Sequence, residues 1–349
     1  MTDSPRKPLQ VAIVGCGGVA QIVHLPVLHT MRNVEVVALC DIDTRKASIL
    51  ANRFSISHIY DDIVAMLDSH ELDLVLILTP NNMHLPMSLI ALEKGVNVFL
   101  ERPAARTTAE AERIAAAAAK FNRHVMVGMH SRFRPDIKAI RKVVAQKTLG
   151  EIFFIRAEWM QAKFEVLKQP WLLSKRIAGG GVLMDLGVQL LDTTWWMLGK
   201  PRLKNVMATS HQMDDNLEVE DFCSFQLNFE NSATFTADIS WNFPIPQDRF
   251  GAVLYSSIGS FTLNPFRISK LWQGKQVDMT PPVPRNGAIL FRQAYQSQIQ
   301  HYINFLQGRE EVLESDIADA IEVHRILDAI YASLAGNADV GPGAKGAPK

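Results

Sequence analysis

The chain has 349 residues, and its 36 Lys plus Arg are balanced by 36 Asp plus Glu. That length suggests about two domains of ~150 residues each, and the zero formal charge offers no basic surface for nucleic acid and no charged tail. Three cysteines, Cys16, Cys40 and Cys223, have no metal-type spacing and fit a reducing cytosol, and no run approaches the ~18 apolar residues of a membrane span. The first ten residues hold no apolar signal core, no solenoid repeat is present, and Gly336 to Lys349 reads as a loose tail.

From Leu9 the order is apolar strand, glycine turn and apolar helix to Met31. Gly15 suits the sharp turn, Gly17 and Gly18 let a pyrophosphate approach the backbone, and Ala20, behind Val19, lets the helix pack on the sheet. The helix N-terminus then presents N–H groups to the phosphates. A second apolar strand, Val34 to Cys40, ends at Asp41, about where a ribose-binding acid belongs. Asp41 favours the free diol of NAD, with Ile42 beside it; Asp43 adds to the repulsion of a 2′-phosphate, while Arg45 keeps NADP as the alternative.

Helix over Arg45 to Phe54, a short strand and helix over Ile59 to Leu67, and a buried strand from Leu72 to Leu78 follow. The last ends in Thr79-Pro80-Asn81-Asn82-Met83-His84. Leu85 to Lys94 is a predicted helix closed by Gly95, and Val96 to Leu100 is a strand ending in Glu101-Arg102-Pro103. Thr107 to Phe121 is helical, and His124 to Val127 is the last strand of the alternation. This is the α/β pattern of a Rossmann doubly wound parallel sheet, and the loops at the strand ends converge on one cleft. Gly15, Gly17, Gly18, Val19, Ala20, Asp41, Ile42, Arg45, Thr79, Pro80, Asn81, His84, Glu101 and Arg102 are the candidate nucleotide contacts.

The rhythm changes near residue 128, the expected domain boundary. Helix over Pro135 to Lys147, strand over Glu151 to Ala162 and an irregular Trp171 to Ile177 lead to Gly179-Gly180-Gly181 and a helix from Val182 to Leu198. Strands follow over 203–211, 221–229, 233–241, 250–257 and 260–263, with turns at Glu230-Asn231 and Gly259, then helices over 289–306 and 316–334. Successive strands without helices predict an α+β domain, residues 129–335, with a mainly antiparallel sheet. Trp195 and Trp196 are expected to pack inside, Trp171 is a candidate wall for a substrate, and Lys163, Lys168 and Lys175 lie in the approach to the glycine triplet.

Several separated motifs make the chain resemble the glucose–fructose oxidoreductase / inositol dehydrogenase family (Gfo/Idh/MocA), from about Leu9 to Leu334. They are the glycine loop with Asp41, His24-Leu25-Pro26, Thr79 to His84, Glu101-Arg102-Pro103, and the run from Gly179 to Asp192. The resemblance implies a Rossmann domain followed by an α+β domain whose open sheet carries a homo-oligomer contact. Phe222, Phe225, Leu227 and Phe229 are the apolar strand residues expected to support it. It also implies NAD(P)-dependent oxidation or reduction of a sugar, polyol or related hydroxy or keto compound, with no resident metal.

The family's Glu-Lys-Pro lysine is replaced by Arg102, and the histidine of its Asp-x-Gly-x-His-x-x-Asp motif is replaced by Gln189; Asp185 matches. Arginine does not lose its proton in proteins and glutamine does not titrate, while positioned acid–base catalysis is typically worth ~10²–10⁴-fold. Three readings stay open. Arg102 polarises the substrate oxygen while Asp185, His130 or His84 moves the proton. Alternatively, Arg102 binds a substrate carboxylate or phosphate. In the third, the protein is a catalytically silent nucleotide and sugar binder. Asp185, Gln189 and Trp171 are the candidate substrate contacts.

Overall fold

The computed structural model describes residues 7–162, 170–213 and 217–336. Lys163, Lys168 and all of the expected tail beyond Gly336 fall outside these residues. The chain divides into two compact units, Met1–His130 with Arg292–Ile321, and Ser131–Phe291 with Glu322–Lys349.

The first unit is built on a six-stranded parallel sheet in the order β3-β2-β1-β4-β5-β6. The strands are β1 (Leu9–Val14), β2 (Val34–Cys40), β3 (His58–Tyr60), β4 (Leu74–Ile77), β5 (Asn97–Leu100) and β6 (Val125–Val127). All four residues of β4 are fully buried, as a strand covered on both faces requires. Between the strands run α1 (Leu25–His29), α2 (Thr44–Phe54), α3 (Ile63–Ser69), α4 (His84–Glu93) and α5 (Thr108–Lys120). Asp43, Asp62 and Thr107 cap three of them, their side chains accepting from the N–H of Arg45, Ala65 and Glu110. A π-helical turn, Ala20–His24, precedes α1. The order reverses between β1 and β4, and in such sheets ligands bind beyond the carboxyl ends at that point.

The second unit begins with α6 (Pro135–Ala145) and carries an eight-stranded sheet in the order β14-β13-β12-β11-β7-β10-β9-β8. Its strands are β7 (Ile152–Met160), β8 (Leu203–His211), β9 (Phe222–Phe229), β10 (Thr234–Ser240), β11 (Arg249–Ser256), β12 (Gly259–Leu263), β13 (Arg267–Trp272) and β14 (Lys275–Asp278). Among the described residues of this sheet, only β7 and β10 pair in parallel. After β7 come α7 (Lys175–Ala178) and α8 (Val188–Met197); α9 (Gly287–Leu306) and α10 (Ile317–Leu334) close the described chain. Trp195 and Trp196 are buried, as expected of packing residues.

Three expectations are corrected, and one unforeseen hairpin is added. The single cut near residue 128 misses that Arg292–Ile321 rejoins the first unit. The reason is polar: Tyr302 donates to the carbonyls of Val98 (3.0 Å) and His124 (2.8 Å), while Ser315 exchanges hydrogen bonds with Val127. The hairpin β13–β14 went unforeseen; its residues are mostly exposed, so no apolar alternation marks them. The turn between its strands, Gln273-Gly274, has positive φ at both residues. Trp171 to Ile177 is not irregular but a 3₁₀ turn (Pro170–Leu173) running toward α7, and Val182 to Leu198 opens as a π-helical turn, Leu183–Gly187, before α8. Finally, Phe225, Leu227 and Phe229 are buried within the single chain, and only Phe222 lies on the half-exposed face of β9.

Candidate functional site

In the first unit the glycine loop leaves β1 with Gly15 at φ +96°, where an added Cβ would lie 2.7 Å from the carbonyl carbon and oxygen of Leu78. Only glycine fits that approach between β1 and the end of β4. Gly17 and Gly18 are exposed and a Cβ on either would meet nothing within 4 Å, so the loop backbone faces open space, as a pyrophosphate site needs. Val19 is half-buried and Ala20 fully buried against the sheet.

Asp41 ties this loop to β2. One carboxylate oxygen accepts the Cys16 N–H at 2.7 Å, and the other accepts the Asp43 N–H at 2.8 Å. Each oxygen keeps a further lone pair, so two ribose hydroxyls can donate to it, whereas a 2′-phosphate cannot donate and is repelled. Ile42 is 91 % exposed and Arg45 is exposed beside it. Burial pushes the Cys16 thiol up to about 12, so it stays a thiol beside this carboxylate.

Thr79 and Pro80 are half-buried at the end of β4, and Asn81 is nearly buried in a 3₁₀ turn. The Thr79 hydroxyl is buried and has no hydrogen-bond partner among the described residues. His84 is fully buried, so it does not face the cleft as expected. Its ring nitrogens lie 2.9 Å from the Pro103 carbonyl and 3.0 Å from the Thr79 carbonyl, pinning two strand-end loops together. Burial lowers its pKa against the pull of those carbonyls, which favours the neutral ring and one donated N–H. His84 is therefore a support for the loops rather than a group that moves the substrate proton.

Glu101 sits beneath Arg102, and the Arg102–Pro103 peptide is cis. One Glu101 oxygen is 2.8 Å from Nε2 of His24, which is fully buried; the other accepts the Arg102 N–H at 3.1 Å. Burial works to raise the Glu101 carboxyl, but the His24 hydrogen bond and charge, with Arg102 and His130, carry it below its ordinary value. The His24 ring meets Phe99 and Tyr295 edge-on, at 5.3 and 5.6 Å. His130 is only 8 % exposed and stacks on Tyr295 at 4.3 Å, so an aromatic ring covers the candidate proton carrier.

The second unit presents a separate cluster on the π-helical turn, a distortion common at functional sites. Asp185 is half-buried, and one of its oxygens accepts the indole N–H of Trp241 at 2.9 Å. Gln189, one turn on, is 5 % exposed and donates to the Asp185 carbonyl at 3.3 Å, so its amide braces the turn. Trp171 is half-buried in its 3₁₀ turn. Asp192, the last acid of the motif, is inside the fold: it takes two hydrogen bonds from Arg132, at 2.8 and 2.5 Å, with both residues 1 % exposed. A cavity of about 670 Å³, near Lys7, Asp73 and Lys94, flanks the opposite, amino ends of β1 and β4 and is not the nucleotide site.

Sequence reasoning cited His24 only as part of a motif and did not find Glu220, Trp241, Tyr295 or Tyr331. Their partners are distant in sequence, so no local spacing announced them.

This combination defines a Rossmann-type dinucleotide-binding protein with an appended α+β unit. The model described as "Oxidoreductase family, NAD-binding Rossmann fold" matches residues 9–129, and that described as "GFO/IDH/MocA C-terminal domain" matches residues 137–261. The chain belongs to the Gfo/Idh/MocA oxidoreductase family, and it is an NAD-dependent oxidoreductase on that ground. It is 28 % identical to D-glucoside 3-dehydrogenase from Escherichia coli (strain K12), over 95 % of this chain and 96 % of that one. Its fold matches an oxidoreductase from Agrobacterium radiobacter solved with NAD+, L-tartaric acid and magnesium, with a TM-score of 0.86 at 20 % identity over 97 % of this chain and 99 % of the other. A levoglucosan dehydrogenase solved with NADH and L-sorbose matches equally, at TM-score 0.86, 20 % identity, and 97 % and 99 % coverage. Among the described residues no helix is long and apolar enough to cross a membrane.

Proposed function

We propose that the protein oxidises or reduces a CH–OH carbon of a sugar or polyol with NAD, and that Arg102 suits it to substrates bearing a carboxylate or phosphate. The observation that carries this reading is Asp185, a half-buried carboxylate on a distorted turn, aimed by the Trp241 indole and braced by Gln189. When bound, the nicotinamide supplies the hydride acceptor or donor. The chain's own groups do the rest. Asp41 holds the adenosine ribose diol, and Gly15 to Ala20 cradle the pyrophosphate. Arg102, with its fixed charge, anchors the substrate oxygen or an adjoining acid group, as a planar two-point donor does better than lysine. Asp185 takes the hydroxyl proton during oxidation and returns it during reduction, replacing the lysine and histidine absent here.

Support for turnover over silent binding comes from the near full-length likeness to a D-glucoside 3-dehydrogenase. The A. radiobacter oxidoreductase was solved with a dicarboxylic acid, which suits the Arg102 reading. Assembly of copies through the eight-stranded sheet, and residence in a reducing cytoplasm with its three buried free cysteines, belong to the same proposal. The test follows absorbance at 340 nm with NAD+ or NADP+ and a panel of D-glucosides, levoglucosan, polyols and L-tartrate. Turnover with NAD+ that Asp185→Asn reduces by about 10²-fold supports it. NADH binding without turnover anywhere in the panel returns the silent reading.

A further inference from the structure

The glycine triplet and the π-helical turn rest on two polar groups, Glu220 and Tyr331, that take no part in the proton path above. One oxygen of Glu220 accepts three hydrogen bonds: from the Gly181 N–H (3.0 Å), the Leu183 N–H (3.2 Å) and the Tyr331 hydroxyl (2.9 Å). The Glu220 carbonyl accepts the Val182 N–H at 2.9 Å. The packing is tight enough to account for the glycines. A Cβ on Gly180 would come within 1.9 Å of the Tyr331 hydroxyl, and one on Gly181 within 1.9 Å of the Glu220 carbonyl oxygen.

From there the connection to Asp185 is short and runs by two routes. The Gly181 carbonyl, whose N–H is held by Glu220, accepts the Asp185 N–H at 3.2 Å. The carbonyl of the next residue, Asp221, accepts the Trp241 backbone N–H at 3.0 Å, and the Trp241 indole donates to the Asp185 carboxylate. Two consecutive residues on one strand approach thus hold Asp185 at its main chain and at its side chain. Each link is a discrete hydrogen bond inside a packed unit, so a change at Glu220 displaces the turn rather than dissipating.

We propose that Glu220, latched by Tyr331, is a positioning residue for hydride transfer: it sets the turn that presents Asp185 and thereby the distance over which the hydroxyl proton moves. This rests on Asp185 being the proton acceptor. A displacement of about 1 Å at a reacting group can cost about 10²-fold in rate. The latch also responds to pH. Burial raises the Glu220 carboxyl above its ordinary range, against the hydrogen bonds from Tyr331, Leu183 and Gly181. The groups facing it are Tyr331 on α10 and Cys223 on β9, with Lys175, His211 and Glu218 lining an adjoining cavity of about 350 Å³. Protonation removes the charge that draws in the three donors and leaves that oxygen a weaker, neutral acceptor, which loosens the turn as pH falls.

The test compares Glu220→Gln, Glu220→Ala and Tyr331→Phe by two readings. The first is amide hydrogen exchange at residues 181–185 in the NADH-bound protein, which needs no substrate. The second is kcat and KM against pH with NAD+ and whichever panel compound turns over. Glu220→Ala is expected to speed exchange at 181–185 by about tenfold or more while the β-strands stay protected. It should also lower kcat by about 10²-fold with little change in the KM for NAD+. Glu220→Gln, which offers a neutral acceptor oxygen like that of the protonated carboxyl and does not titrate, should at neutral pH resemble the wild type in acid on both readings and show no acid limb in its pH profile. Tyr331→Phe should fall between. If Glu220→Ala does not fold, the other two variants decide by the same readings. Wild-type exchange in Tyr331→Phe, or an acid limb that survives in Glu220→Gln, overturns the latch. Absence of any turnover overturns the catalytic reading instead, and the exchange data still judge the positioning.

Discussion

Replacing His24 by leucine tests the buried pair beneath Arg102. His24 is 0 % and Glu101 8 % exposed, so solvent does not screen their contact and the figure for surface pairs does not apply. Removing one partner of a buried pair costs about 3–5 kcal/mol, because the other charge is left uncompensated. Glu101 keeps the Arg102 N–H at 3.1 Å, which places the expectation at the low end, about 3 kcal/mol. At roughly 2–4 °C per kcal/mol for a unit of this size, Tm falls by about 6–12 °C. The pH dependence has a definite sign. The Glu101 carboxyl is held below its ordinary value in the folded chain, so its contribution is present above the unfolded value near 4.3 and is lost as pH falls through the folded one. The gap between wild type and His24→Leu should therefore be wide at pH 7 and narrow under acid conditions. Urea unfolding followed by circular dichroism from pH 8 downward measures it, and the double variant with Glu101→Gln gives the coupling energy. A gap below about 1 kcal/mol at pH 7, or a gap that widens in acid, would refute the reasoning.

Two further outcomes follow from the packing. Arg132→Met strands the buried Asp192 charge and should cost about 3–5 kcal/mol by calorimetry; adding Asp192→Leu should recover most of it, and no recovery would mean that Asp192 was not held as an ion. Gly15→Ala places a methyl against the Leu78 carbonyl at a φ reserved for glycine, so NADH titration should show affinity reduced by about tenfold or more, and unchanged affinity would count against this loop as the cradle.

What could be read from the sequence is what the chain builds locally. Gly15, Ala20 and Asp41 belong to one contiguous strand–turn–helix–strand unit, and their roles follow from spacing alone. His24 and Glu101 are 77 residues apart, Arg132 and Asp192 are 60, and Glu220 and Tyr331 are 111. Those meetings depend on how the strands are ordered, which a one-dimensional pattern does not encode. The same limit explains His84 and Asp192. Both stand in recognisable motifs, yet one braces two loops and the other is an interior counter-ion, since a motif gives residue type and not the direction a side chain takes. The strand pair β13–β14 escaped for a simpler reason, its lack of buried alternation.

The return of Arg292–Ile321 to the first unit bears on how this protein is made. Nascent chains commonly complete an N-terminal domain while the remainder is still being translated. Here the ribosome must finish nearly the whole polypeptide before Tyr302 can close over the carbonyls of Val98 and His124. The dinucleotide half, though encoded first, thus waits for a segment that emerges just ahead of α10, which completes the second unit, and a chain cut short at residue 130 would yield a sheet whose last two strands lack their lid.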